Sequence, residues 1–543
     1  MNTLRGLNMP PAGWTLAGLL AFYVLAGLVG HDPWKTEDAT HLGVAWDVLS
    51  KGHWDALSLA GRAWHEAPLY YWTAGLFGKL AAGLLPAHDA MRLASGFWLA
   101  LSLVGVYYTS RELHGQESAA AGPLLLAGSV GLMEPGHMAQ PMLIALCAHA
   151  TALGALAASG RKPHTAMPLL ALAWAICLLG GGLASTLPLL ALAPLAFLYR
   201  DTPFHTARSL IQALLLAALL IAVVWSGLDP AWREAWWQRE ISRLGHRAHP
   251  GNDLLSLLNL LASFAWPALP IAGWTLWSRR RRLSDPALLL PAGQLLLGLA
   301  MLASCYPPKE IPALLLLPPL VQLAVPGALS LRRGAAQALD WFSKMTFSFF
   351  LILVWIGWSA LVLGWPERLA RRTQVLEPGF IGQFQTGMFA LALIVSLGWF
   401  YLIFTSPRSP YRGLTHWTAG FSTFWLLLAT LWLPWVDYGK SYRQLAQQVQ
   451  RQLPAGHGCV QEQGLSHPHR ASLAYFSGIE VLPASKGRCD WMLRYNSGQS
   501  RPAATEIAGW ELVWEGNRPG DRQEKFRLYH RADVAVDQRI DAR

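Results

Sequence analysis

Charge is scarce in this chain: 14% of its 543 residues are Asp, Glu, Lys or Arg, while 53% are hydrophobic. A soluble domain of ordinary composition is excluded. Cysteine is also rare, at five residues, so no dense disulfide scaffold is built from it. Phosphate-binding glycine loops of the Walker type, nucleophile elbows and dinucleotide fingerprints are missing, which argues against a nucleotide-sugar donor. No internal repeat or low-complexity tract stands out.

What is abundant is apolar sequence in runs of membrane-crossing length. Candidate spans are 12–30, 89–110, 117–134, 138–158, 165–180, 183–199, 208–227, 257–277, 286–304, 310–329, 345–364, 384–404 and 414–435. The first run follows a single Arg5 and has no clear small-residue cleavage site, so it reads as a retained span. The expectation is an all-α polytopic membrane protein with about 13 transmembrane helices. The net charge of +11 sits in short basic clusters between the runs, the pattern of cytoplasmic loops and not of a nucleic-acid binder.

One stretch, 68–86, has the hydropathy of a further crossing. If it spans, Arg111, Arg161, Lys162, Arg200 and the run Arg279 to Arg282 fall on the outer side, against the bias that orients membrane proteins. If it lies in the interface, all of them become cytoplasmic. Tyr70, Tyr71 and Trp72 suit that headgroup level. The amino terminus is then inside, and the outer segments are 31–88, 228–256, 365–383 and the tail from 436.

The tail changes character. "SYRQLAQQVQRQLPAGHG" reads as a helix stopped by proline and glycine, and "CDWMLRYNS", "WELVWEG" and "KFRLYHR" alternate as half-buried strands do. The expected domains are 1–435 in the membrane and a small α/β periplasmic domain at 436–543, with no catalytic motif of its own. On the outer side, Cys459 and Cys489 could form a disulfide.

The chemistry concentrates after the first span. Glu37 and Asp38 stand at its outer mouth, where paired carboxylates in a partly desolvated cleft supply a base. The same acids would also suit the first turn of a short surface helix. Asp47 reads as a solvated helix residue.

The order of residues in this stretch, an acidic pair, a helix ending at Ser50, Lys51 and Gly52, then His53 and Trp54, then "HEAPLYYW", resembles the first periplasmic loop of polyprenyl-phosphate-sugar-dependent glycosyltransferases. Those include the aminoarabinose transferases of lipid A and the protein O-mannosyltransferases. Their pattern runs DE-A-R-Y, a helix, S-G-D-W and F-E-K-P-P-L-Y-Y-W, and it aligns here without a gap.

The resemblance implies a GT-C-like fold in the bacterial inner membrane, and an inverting transfer of sugar from a polyprenyl-phosphate carrier to a periplasm-facing acceptor. The acceptor would be lipid A, another glycolipid or glycan, or a protein. It makes Glu37 or Asp38 the base, although the family order of aspartate then glutamate is reversed. Glu66, Arg243, Arg247 and Lys309 would face the donor phosphate, and Tyr70, Tyr71 and Trp72 would line the path of the lipid carrier.

Glu66 and His249 match positions that can lie near a divalent metal ion, although no spaced ligand cluster is present. Three polar positions depart from the family: Ala67 replaces a lysine, Gly180 stands where another lysine is usual, and Glu134 or the neutral Gln140 stands for a second acid. These losses keep open a second reading, a catalytically degenerate scaffold that partners or regulates another membrane enzyme. A transporter is disfavoured by the scarcity of intramembrane charge.

Overall fold

The computed structural model describes residues 13–199, 203–244, 250–305, 310–483, 489–497 and 507–532. Helices dominate through Lys440, and the tail carries a five-stranded sheet. Among the described residues, eight helices are long and apolar enough to cross a membrane, or nine when one bent pair counts as a span. Gly13–Leu25 and Met142–Ala158 are shorter apolar helices.

The differences from the expected spans have local causes. The run 117–134 forms only the seven-residue helix Ala121–Ala127, followed by 3-10 turns at Val130–Leu132 and Pro135–His137. The run 257–277 is bent by 105° between Asp253–Phe264 and Ala268–Ser278. Pro267 has no N–H to continue the helix, and the Trp266 carbonyl accepts from the Val130 N–H at 3.1 Å instead.

The runs 165–180 and 183–199 meet in Pro163–Leu192, which breaks at Gly182 with φ +75°. Before the break Gly180 packs on Ile144, and after it the Ser185 carbonyl lies 2.9 Å from His149 Nε2, farther along the same Met142–Ala158 helix, so the chain turns back on itself at the glycines.

The doubtful segment is the helix Leu69–Leu80. Its 12 residues reach about 18 Å, short of a hydrocarbon core about 30 Å thick. Just before it, the strands Ser58–Leu59 and Arg62–Ala63 form a small hairpin. Asp47 is a correction: it is buried, not solvated, because this hairpin folds over it. Its carboxylate accepts from the Ser58 hydroxyl at 2.7 Å and the Gly61 N–H at 3.2 Å, and pairs with Lys51.

In the tail, the three anticipated strands are Trp491–Ser497, Trp510–Gly516 and Glu524–Arg531. Two short strands complete the sheet, in the order Val481–Pro483, Val460–Gln463, Trp491–Ser497, Glu524–Arg531, Trp510–Gly516. The first three are parallel and the last two antiparallel. Cys459 and Cys489 are bonded.

The sheet has its own core around Leu445, Val449, Leu493 and Phe526, while Ala471 of the helix His467–Ser477 belongs to the main helical core. That helix lies so close to the Glu37–Lys51 helix that a side chain on Gly43 would collide with Ala471. Arg443 and Ser441 clasp Asp32 just before the same helix. The tail is thereby fastened over the acidic stretch.

Candidate active site

The Glu37–Lys51 helix has Glu37 and Asp38 in its first turn and Lys51 in its last, the charge order its dipole favours, and it stops at Gly52 in the left-handed region, φ 72°. Neighbouring helix positions point about 100° apart, and the two acids meet different worlds.

Asp38 has no exposed surface. Its carboxylate accepts from Arg92 Nη2 at 3.0 Å, from the Trp34 N–H at 3.0 Å and from the Ala139 N–H at 2.7 Å. Burial pushes its carboxyl up, but the Arg92 guanidinium and these donors outweigh that and hold it below the usual carboxylate range. Asp38 is an anchor and does not line the neighbouring cavity. Glu37, with a side chain 48% exposed, lines that cavity.

The cavity has a volume of about 270 Å³. It gathers Glu37, Glu66 and Arg243 from three segments far apart in sequence, together with His41, Glu240, Gln140 and the glycines Gly180 to Gly182. Ile311 and Pro312, shortly after Lys309 in sequence, also line it. Lys309, Arg247 and His249 lie outside the described residues.

A continuous polar chain crosses the site. Glu37 Oε2 lies 3.2 Å from His41 Nε2, and His41 Nδ1 lies 2.9 Å from the Tyr71 hydroxyl. Tyr71 donates to Glu66 Oε2 at 3.2 Å and accepts from Trp64 Nε1 at 3.0 Å. Burial and the Glu66 carboxylate push the Tyr71 hydroxyl well above its ordinary value, so it stays a donor.

Glu66 Oε1 accepts from Arg239 at 2.9 Å and Arg243 at 3.4 Å. Arg243 also reaches Glu240 at 2.8 Å, and Glu240 accepts from the Leu183 N–H at 2.7 Å. Burial pushes the Glu240 carboxyl up, against the pull of Arg243. Gly182 is needed here twice over, for its left-handed φ of +75° and because a side chain would strike the Glu240 carboxylate.

Two expected roles change. Tyr70 and Tyr71 do not line a lipid path: both rings are fully buried, Tyr70 against the Ser95 hydroxyl at 2.7 Å and Tyr71 in the polar chain. Trp72 is half-buried and donates to the Trp54 carbonyl at 2.8 Å. An apolar groove of about 670 Å³ lies elsewhere, between Leu178, Ile221, Ala222, Trp225, Trp236 and Trp237, with Arg233 and Glu234 also in its wall.

Glu66 also fits a metal poorly. Both of its oxygens are engaged, one by two arginines, and that local positive charge opposes a divalent cation. Among the described residues no cluster of three or more His, Cys, Asp or Glu could hold a metal ion.

His41 and Glu240 were missed in the sequence. The signal existed: His41 follows Glu37 by one helical turn, and Glu240 precedes Arg243 by three positions.

No family model matches the chain. The undecaprenyl phosphate-alpha-4-amino-4-deoxy-L-arabinose arabinosyl transferase of Edwardsiella ictaluri (strain 93-146) is 27% identical over 257 residues, 43% of this chain and 44% of that protein. The chain thus matches less than half the length of that relative. The crystal structure of ArnT from Cupriavidus metallidurans bound to undecaprenyl phosphate aligns over 96% of this chain and 98% of that one, with TM-score 0.70 and 14% identity. This chain has the GT-C fold of the aminoarabinose-transferase type. The apo state of the same ArnT aligns with TM-score 0.66, over 95% of this chain and 98% of that one, at 14% identity. The GT-C likeness runs through the spans and the small carboxyl-terminal sheet alike.

Proposed function

We propose that this protein is an inverting glycosyltransferase of the bacterial inner membrane, moving a sugar from a polyprenyl-phosphate carrier to a hydroxyl on lipid A, another glycolipid or glycan, or a protein. The cavity that joins Glu37 to Arg243 carries this reading. Glu37 takes the proton of the acceptor hydroxyl as its oxygen attacks the anomeric carbon. The carbon–phosphate oxygen bond breaks, and the phosphate leaves with the electron pair. Arg243, with Arg247 and Lys309 from the neighbouring segments, meets the charge that grows on that phosphate.

Glu66 and Glu240 hold Arg243 in place from two sides, so its guanidinium does not have to be ordered when substrate arrives. The apolar groove beside Trp225 and Trp236 suits the carrier's hydrocarbon chain better than the buried tyrosines do. The cavity and the tail over it belong to the periplasmic side, with the amino terminus in the cytoplasm.

The test is sugar transfer by purified protein in lipid, supplied with polyprenyl-phosphate sugars and with lipid A, glycan or protein acceptors. Transfer that Glu37→Gln abolishes supports the reading. Transfer left intact in that variant sinks Glu37 as the base. The second reading, a scaffold for another membrane enzyme, draws on Ala67, Gln140 and Gly180, which put neutral groups on the cavity wall. No transfer with any pair tried, together with a copurifying enzyme, favours it.

A further inference from the structure

The polar chain fixes where its protons are. Trp64 Nε1 can only donate, and an ionised Glu66 flanked by two arginines can only accept. The single proton of Tyr71 goes to Glu66, so the Tyr71 oxygen accepts from both Trp64 and His41. His41 is therefore protonated at Nδ1. Its other nitrogen, Nε2, faces Glu37 Oε2 at 3.2 Å, and two bare lone pairs would repel at that distance. One proton lies between them. Held on Nε2, that proton is donated to Glu37, which stays a carboxylate.

We propose that His41 is a positioning residue, an imidazolium pinned by Tyr71 that keeps Glu37 ionised and holds one of its oxygens, so that the acceptor hydroxyl meets the carboxylate from the cavity side. This rests on the glycosyl-transfer reading for its purpose, though not for its geometry. During transfer the acceptor's proton passes to Glu37 and the His41 proton stays on Nε2.

The other charged and titratable groups around this pair come from three elements: Tyr71 and Glu66 from the first outer loop, Arg239, Glu240 and Arg243 from the Pro230–Arg243 helix, and His467 from the tail, which interacts electrostatically with Glu37 and Glu66. Asp38 is neutralised by Arg92. Activity falls on the acid side when Glu37 takes a proton.

The pair is read directly by infrared titration of the full-length protein in lipid, following the protonated-carboxyl band that Glu37→Gln removes. In His41→Gln the midpoint of that band rises by about one pH unit or more, because a cation within contact distance has gone. An unchanged or lower midpoint overturns the proposal. Tyr71→Phe, which removes the acceptor of the Nδ1 proton, carries the same test should His41→Gln fail to fold, and its midpoint also rises.

In the transfer assay the acid limb moves to higher pH in His41→Gln and in Tyr71→Phe. An acid limb retained unchanged in His41→Gln overturns the role. If wild type moves no sugar at all, the glycosyl-transfer reading fails while the infrared midpoint still decides the pair.

Discussion

Arg92 Nη2 and Asp38 Oδ2 lie 3.0 Å apart, both side chains without exposed surface. The pair ties the Glu37–Lys51 helix to the span Ala87–His114, and it separates two acids that are neighbours in the chain. One acid holds the helix in place, and the other lines the cavity.

Substituting the two acids therefore gives opposite results. Glu37→Gln lowers the transfer rate by about 10²- to 10⁴-fold, the scale of a lost general base, with little change in thermal unfolding. Asp38→Asn removes one of the two carboxylates that hold the buried Arg92 guanidinium, Asp89 keeping its bond at 2.9 Å, and costs about 1–3 kcal/mol of stability. Turnover and thermal unfolding measured side by side on both variants check this.

Acid should erase the Asp38 contribution. The folded-state carboxyl is held below its unfolded value, so the stability it supplies is fully present above about pH 4 and is lost as pH falls through the folded value. Asp32, where Arg443 and Ser441 outweigh the upward push of burial, has the same sign. The stability gap between wild type and Asp38→Asn is expected to be constant from pH 7 to pH 5 and to shrink below pH 4. Denaturation curves across that range decide it.

Gly182→Ala places a side chain at φ +75° and against the Glu240 carboxylate. The backbone alone costs about 1–3 kcal/mol. Displacing Glu240 also releases Arg243, so KM for the carrier-linked sugar rises. A variant with wild-type stability and unchanged KM would remove Gly182 from the site.

Gly43→Leu forces the tail helix away from the acidic helix at Ala471, an overpacking cost of about 1–3 kcal/mol. Residues 467–477 then exchange amide hydrogens faster and are cut sooner by protease, while the sheet core around Phe526 keeps its protection.

Several of these features were legible in the sequence. Basic clusters argued against a crossing at 68–86, and its 12-residue helix is too short for one. Alternation revealed three strands of the tail. The short parallel strands Val460–Gln463 and Val481–Pro483 carried too little pattern to be seen. Tyr70 and Tyr71 looked like interface residues because an aromatic ring with a hydroxyl suits both a headgroup layer and a core that offers Ser95 or Glu66 as partner. The choice lies in the partner, and the partner is distant in the chain.

Sequence by itself determined that the chain lives in a membrane, because hydropathy is a property of short windows, and the order of residues in its first loop resembled the family whose fold it shares. Only the tertiary structure decided which of Glu37 and Asp38 is available. That choice depends on Arg92, more than fifty positions away, whose charge in a dry interior commits one carboxylate and leaves the other in the cavity with His41.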